Sequence, residues 1–374
     1  MHIDTVLMKV ASRCNFNCSY CYVYNMGDEN WRAQPKRLSA EVQQLVAAEL
    51  GSLMREQGHP FSVVLHGGEP LLLGPTRIEL LIRALRAELG SACGISIQTN
   101  GVLLSEAILG ICAQYDVTIS VSLDGPAEIH DRCRVDLGQR PTHEKVMAGI
   151  TLLKAHPQAD RLFSGVLAVV DPTSDPASIY KYFKGLAVPN VDFLYRDGNH
   201  TTLPHGKASV QSVEYGRWMS SVLDCYVADP APFRIRMLDD MMKLMLGGYG
   251  VKEGVGLTDY GILVIDTDGS IKKNDTLKSS PPGDKFNEAW SVASHSLTSI
   301  AASPAFEAYH YAQRPTSATC RTCPHLTVCG GGMLTHRYKD GYNFDNPTVF
   351  CDDQKLLVAR MEYHLARFRR QCAA

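Results

Sequence analysis

Two groups of cysteines carry the clearest chemical signal in this 374-residue chain. The first, Cys14-Asn-Phe-Asn-Cys18-Ser-Tyr-Cys21, has the spacing C-x3-C-x2-C. Three thiolates that close together can hold an iron–sulfur cluster with one iron left open to a small molecule, or a zinc ion short of its fourth ligand. The second group is Cys320, Cys323 and Cys329 with Cys351 downstream, a C-x2-C-x5-C-x21-C pattern. Four thiolates close the shell of a structural zinc or of an iron–sulfur cluster, and spacing alone does not separate the two. The other five of the twelve cysteines, Cys93, Cys112, Cys133, Cys225 and Cys372, stand alone and read as small core residues.

The elements that must position these groups have a rhythm of their own. Short β-branched runs at 5–10, 61–66, 94–99, 117–122, 162–169 and 191–195 alternate with helix-like stretches. That alternation predicts a parallel sheet of βα units, and six such strands a partial or curved barrel. Helix starts are marked by Ser39 before Ala40-Glu41, by Ser105 before Glu106, and by Asp175 before Pro176. Chemistry in parallel sheets gathers at the C-terminal strand ends. There the cysteine triad follows the first strand, Gly67-Gly68-Glu69-Pro70 the second, Asn100-Gly101 the third and Asp124-Gly125 the fourth. After residue 200 the rhythm changes: helices are expected near 213–227 and 234–248, a hairpin at 261–273 turning at Asp268-Gly269, and a last amphipathic helix at 352–369.

Bulk composition excludes several classes. With 45% hydrophobic residues and a net charge of -2, the chain has the material for a large core and no basic field that would draw it to nucleic acid or an anionic membrane. No apolar run approaches the roughly eighteen residues of a membrane span, and the start lacks the basic residues of a secretory signal. The expectation is a cytoplasmic protein whose cysteines are not disulfide-bonded.

Taken in order, the motifs resemble the radical S-adenosylmethionine (SAM) superfamily, whose signature is a C-x3-C-x2-C loop after the first strand of a partial (β/α)6 barrel. The resemblance implies that Cys14, Cys18 and Cys21 bind a [4Fe–4S] cluster, that SAM chelates its open iron, and that cleavage of SAM yields a 5′-deoxyadenosyl radical. Tyr22 then lies near the adenine, and Gly67, Gly68, Glu69 and Pro70 form the segment that binds the SAM amino group. Gln98-Thr99-Asn100-Gly101 resembles the third-strand motif, and Ser122 and Asp124 belong to a fourth-strand motif beside the ribose and methionine of SAM. His130-Asp131-Arg132-Cys133-Arg134 places Arg134 for a carboxylate, a bidentate task suited to arginine; a surface salt bridge is the alternative.

The second cysteine group is similar to that of SPASM-domain enzymes, which implies one auxiliary [4Fe–4S] cluster on Cys320, Cys323, Cys329 and Cys351. A further auxiliary cluster of that domain is expected to be missing. Met333 stands where one of its cysteines would be, Asn274 replaces another, and 254–261 contains none. Asp275 survives beside the lost ligand, where related sulfatase-maturing enzymes carry a catalytic base; a solvated turn aspartate is the alternative. As a base it is expected to be partly buried, with its pKa raised, and to face the cavity.

Within the superfamily, 329–338 and 341–351 look like the maturases that form three-residue cyclophanes in ribosomally made peptides, the FxS-type group. The fold expected is α/β, with a radical SAM partial barrel at 1–200, a helical bridge at 201–255, and a SPASM-like region with a C-terminal helix at 256–374. The function expected is a carbon–carbon cross-link between an aromatic ring and a side-chain Cβ of a precursor peptide. An external flavodoxin- or ferredoxin-type electron donor is implied, and neither nucleic acid nor membrane. Thioether formation, epimerisation and formylglycine-type oxidation are the enzymatic alternatives, and a zinc-stabilised binding module the non-enzymatic one.

Overall fold

A computed structural model describes residues 2–258 and 260–373. Its main strands are β1 (Thr5–Ala11), β2 (Ser62–Gly67), β3 (Gly94–Thr99), β4 (Val117–Ser122), β5 (Phe163–Val169) and β6 (Asn190–Leu194), each within a residue of its expected bounds. Three short strands follow: β7 (Arg234–Ile235), β8 (Ile262–Ile265) and β9 (Ile271–Lys272). The longer helices are α1 (Ala40–Gln57), α2 (Pro75–Leu89), α3 (Glu106–Gln114), α4 (His143–Ala155), α5 (Pro176–Leu186), α6 (Glu214–Ala228), α7 (Arg236–Met245) and α8 (Cys351–Ala373). Ser39, Ser105 and Asp175 cap α1, α3 and α5 by accepting backbone N–H bonds, as their positions predict. Among the described residues no helix is long and apolar enough to cross a membrane.

The chain divides into two compact units. The first comprises 1–123, 130–166 and 260–311; the second comprises 124–129, 167–259 and 312–374. In the first unit the strand order is β4-β3-β2-β1-β8-β9, all parallel except β9, which returns antiparallel to β8. The pairing of β8 with β1 was not legible as sheet extension, since the sequence presents β8 only as one arm of a hairpin. All four residues of β8 are buried, which is the mark of a strand covered on both faces.

Period-two alternation then sorts the side chains of β1 to β4 onto two faces. Val6, Met8 and Val10, Val63 and Leu65, Ile95 and Ile97, and Val117, Ile119 and Val121 are at most 2% exposed and make the hydrophobic layer. On the other face, Val64, His66, Ser96, Gln98, Thr118, Ser120 and Ser122 are all partly exposed. That face is polar and open rather than packed shut.

The second unit pairs β6 with β7 in parallel and packs α8 on α6. Asp353, in the first turn of α8, accepts the Gly216 N–H of α6 at 2.7 Å and an ion pair from Lys207 at 2.6 Å, with both charged side chains fully buried. This anchor fixes the start of α8, and with it Cys351 at the helix's first residue.

Candidate active site

The loop after β1 brings Cys14, Cys18 and Cys21 to the C-terminal end of the first unit's sheet. Backbone bonds grip it from two sides. Gly68 and Glu69 N–H donate to the carbonyls of Ala11 and Arg13 at 2.8 and 3.0 Å, while Asn17 and Ser19 N–H donate to Val135 and Cys133 at 2.8 and 3.0 Å. The close fit explains the glycine pair: a Cβ on Gly68 would lie 2.4 Å from the Arg13 carbonyl oxygen. Burial pushes the Cys14 and Cys21 thiols up; Glu69 and the neighbouring thiols add to the rise at Cys14, whereas backbone N–H groups and Arg134 oppose it at Cys21. Thiols so placed stay protonated unless a cation stabilises the thiolates.

The strand-end motifs surround this loop, with some roles differing from expectation. Glu69 is 1% exposed, and its carboxylate is committed to protein donors: Leu71 N–H at 3.0 Å, Thr99 Oγ1 at 2.7 Å and Asn100 N–H at 2.8 Å. Burial raises its pKa to about 7 against those three bonds. It therefore ties β2 to β3, and the amine-binding expectation for this carboxylate is left with a single acceptor position at Oε2. Asn100 reaches across to the cysteine loop, donating to Asn15 Oδ1 at 2.7 Å. Ser122 accepts from Gln98 at 3.0 Å on the polar face, and Tyr22 is partly exposed in the loop. In the second unit Asp124 accepts the Val169 N–H at 3.0 Å.

The HDxxR motif divides into two parts. His130 is fully buried and bonded to Thr142 at 3.2 Å, and Asp131 caps the Thr142 and His143 N–H groups. Both hold the turn before α4. Arg134 is 7% exposed, with its guanidinium 5.4 Å from the Tyr20 ring, and so lies against the cysteine loop.

Asp275 departs furthest from its expected setting. Asn274 accepts the Thr276 N–H at 3.1 Å and starts a 3-10 turn over Asp275–Ser279, so Asp275 sits in that turn and not on an open hairpin end. Its side chain is 2% exposed, and Lys9 Nζ of β1 stands 2.7 Å from Oδ1. The contact is an ion pair without good hydrogen-bond geometry, since both carboxylate oxygens are buried and lack such a partner. Burial pushes the carboxyl up, but Lys9, Lys278 and His66 together outweigh it and hold Asp275 below the usual carboxylate range. The expected rise is thus replaced by a fall, and a solvated turn residue is equally ruled out. Neither Lys9 nor its pairing was visible in the sequence, because a lysine in an apolar strand carries no motif.

In the second unit Cys320, Cys323, Cys329 and Cys351 line one cavity. Ser317 caps the turn that presents Cys320, and Cys329 closes a short helix whose N–H bonds run to His325 and Leu326. Gly330 follows with φ 67°, and a Cβ there would lie 1.9 Å from the Gly256 carbonyl oxygen, so only glycine lets the chain turn away from Cys329. Burial and the three companion thiols raise Cys329 to about 12. Among the described residues no three His, Cys, Asp or Glu side chains sit closely enough to share one metal ion.

Arg337, unassigned by the sequence, is 1% exposed and donates to the Ala312 carbonyl at 3.1 Å. Burial lowers its pKa to about 10, while Cys320 and Cys329 pull it up, so it remains a buried cation. Met333, at the expected position of a lost ligand, fills its own space: a Cβ on Gly254 would lie 2.7 Å from Met333 Cγ. Cys93 and Cys112 are buried, Cys133 and Cys225 are partly exposed, and none of the four is in a disulfide. The side chain of Cys372 lies outside the described residues.

Residues 8–175 match the Radical SAM superfamily. The chain is 21% identical over 361 residues to a cysteine-type anaerobic sulfatase-maturating enzyme of Clostridium novyi, covering 94% of this chain and 93% of that protein. The solved structure of native anSMEcpe with bound AdoMet and Cp18Cys peptide matches with a TM-score of 0.82 at 21% identity, over 98% of this chain and 99% of that one. SuiB of Streptococcus suis bound to S-adenosylmethionine matches with a TM-score of 0.62 at 16% identity, over 94% and 77%. The α/β fold is shared with these two solved structures.

Proposed function

Because residues 8–175 match the Radical SAM superfamily, we propose that this protein modifies a peptide, joining a side-chain Cβ to an aromatic ring two residues away. The observation that carries the reading is the three-thiol loop set at the end of an open polar strand face, with a buried ionised carboxylate paired to Lys9 of the same sheet. Cys14, Cys18 and Cys21 would hold the SAM-binding [4Fe–4S] cluster, and Cys320, Cys323, Cys329 and Cys351 an auxiliary one. Tyr22, Gly67, Gly68, Glu69, Pro70, Asn100, Ser122, Asp124 and Arg134 would bind SAM. Bound there, cluster and SAM supply a carbon radical that takes a hydrogen atom from an unactivated side chain.

This chain's own residues do the rest. The polar face would receive the peptide, and the Asp275 carboxylate, held ionised by Lys9, would favour loss of a proton from the substrate. Peptide chemistry is supported by the relatives, which are named for sulfatase maturation or were solved with a peptide. An electron donor of flavodoxin or ferredoxin type would reduce the protein.

The test is anaerobic incubation with SAM, dithionite and a synthetic peptide containing a Phe-Ala-Ser triplet. A product two hydrogens lighter, with its cross-link located by tandem mass spectrometry, supports the reading. A second reading, oxidation of a cysteine or serine to an aldehyde, is favoured by the sulfatase-maturating relatives. A product that reacts with hydrazine would establish it and refute the cross-link.

A further inference from the structure

His66 ends the polar face of β2, one strand over from Lys9, its register partner on β1. The residue as a whole is partly exposed, while its Nδ1 is buried with no hydrogen-bond partner. An unpaired buried ring nitrogen is costly, and a molecule bound beside it would relieve that cost. Three neighbours act on the imidazole: Asp275 and the Gly67 backbone favour its charged form, Lys9 disfavours it, and burial, the largest influence, keeps it below its ordinary pKa. It is therefore a neutral base at neutral pH.

Asp275 has no comparable freedom. A proton acceptor must present a lone pair within hydrogen-bond reach of its substrate. Both Asp275 oxygens are buried, as His66 Nδ1 is, but the carboxylate is already met by a cation, Lys9 Nζ at 2.7 Å from Oδ1.

We propose that His66 is the catalytic proton acceptor and that Asp275, ionised by Lys9, is a positioning residue that stabilises the resulting imidazolium. The proposal rests on the peptide cross-linking reading. In that reaction the cyclohexadienyl radical left by ring attack gives up one electron to a one-electron acceptor of the iron–sulfur or flavin class. The ring C–H bond of the resulting cation then breaks, its electron pair returns to the ring, and the proton passes to His66.

Two measurements decide the matter. The first needs no peptide: an NMR pH titration of holoenzyme labelled with nitrogen-15 histidine. The His66 ring is expected to be neutral at neutral pH, and Asp275→Asn to move its titration to lower pH. A protonated ring, or a titration that Asp275→Asn leaves in place, overturns the proposal. The second uses wild type with the Phe-Ala-Ser peptide, SAM and dithionite across a pH series. The ratio of cross-linked peptide to 5′-deoxyadenosine should fall about tenfold per pH unit below the His66 midpoint, and His66→Gln should lower product roughly a hundredfold while 5′-deoxyadenosine still forms. A flat ratio in wild type overturns the proposal even if His66→Gln fails to fold. A peptide that wild type leaves unaltered counts against the cross-linking reading alone, and the titration still decides the role of His66.

Discussion

Replacing Lys9 with methionine removes one side of a buried ion pair, at a cost that can be worked from the distances. Lys9 Nζ is 2.7 Å from Asp275, and the two side chains are 4% and 2% exposed. The other cation, Lys278, is 4.0 Å from Asp275 and is shared with Asp28 at 3.1 Å and Asp284 at 3.7 Å. At an effective dielectric of about 20, the nearer contact is worth roughly 6 kcal/mol and the farther roughly 4, before desolvation is counted. Breaking a buried pair from one side typically costs about 3–5 kcal/mol, and Lys278 is too committed elsewhere to replace the lost cation.

The sign with pH follows from Asp275. Its pKa is depressed in the folded protein, so the pair's contribution is present above the ordinary carboxylate range and is lost as pH falls through the depressed value. Without Lys9, burial wins and the carboxyl rises, so the penalty of Lys9→Met is full at neutral pH and shrinks as the medium approaches roughly pH 4. Hydrogen exchange of peptides covering β1 and 271–279 reads this locally, without assuming that the whole chain unfolds in one step. Exchange should quicken by roughly two to nearly four decades. The double variant Lys9→Met with Asp275→Leu should recover most of the loss. A single variant whose exchange stays within tenfold of wild type, or a penalty that does not change with pH, refutes the reasoning.

Other consequences follow from the same unit. Glu69 is an acid whose folded pKa, about 7, exceeds its ordinary 4.5, so its ionisation disfavours folding increasingly as pH rises through that window. Relative to Glu69→Gln, wild type should lose roughly 3 kcal/mol of local stability across it, read by exchange at β3; parallel pH curves for the two proteins would count against the buried carboxylate. Gly68→Ala should drive a Cβ into the Arg13 carbonyl and lower the iron bound at the first cysteine loop, measured by iron analysis, whereas normal iron would mean the loop yields easily. Asp275→Asn should keep its iron and still form 5′-deoxyadenosine with peptide present, while cross-linked product falls by roughly a hundredfold or more. Wild-type product from that variant would leave Asp275 with a structural role only.

Much of this was legible in the sequence because it depends on local pattern. The β-branched runs and the caps at Ser39, Ser105 and Asp175 fixed six strands and three helix starts, since alternation and capping need only neighbouring residues. The four-thiol cavity was likewise written in cysteine spacing. What escaped depends on contacts between distant segments. Lys9 and Asp275 are far apart in the chain, and their pairing reverses the pKa shift that burial alone would give. Glu69 reads as a ligand-binding acid in its motif yet spends its oxygens on Leu71, Thr99 and Asn100. His130 and Asp131 belong to a motif and do a turn's work, and Arg337 gives no sign in sequence that it lies buried beside thiols.

The most direct test of the central claim is the iron, acid-labile sulfide and zinc content of anaerobically reconstituted protein, taken together with its cleavage of SAM. Wild type is predicted to hold about eight irons per chain in two [4Fe–4S] clusters and to form 5′-deoxyadenosine under reduction. The triple variant Cys14→Ala, Cys18→Ala, Cys21→Ala should retain about half that iron, on Cys320, Cys323, Cys329 and Cys351, and form none. Full iron in the triple variant, SAM cleavage without the three cysteines, or zinc in place of iron in wild type would contradict the account.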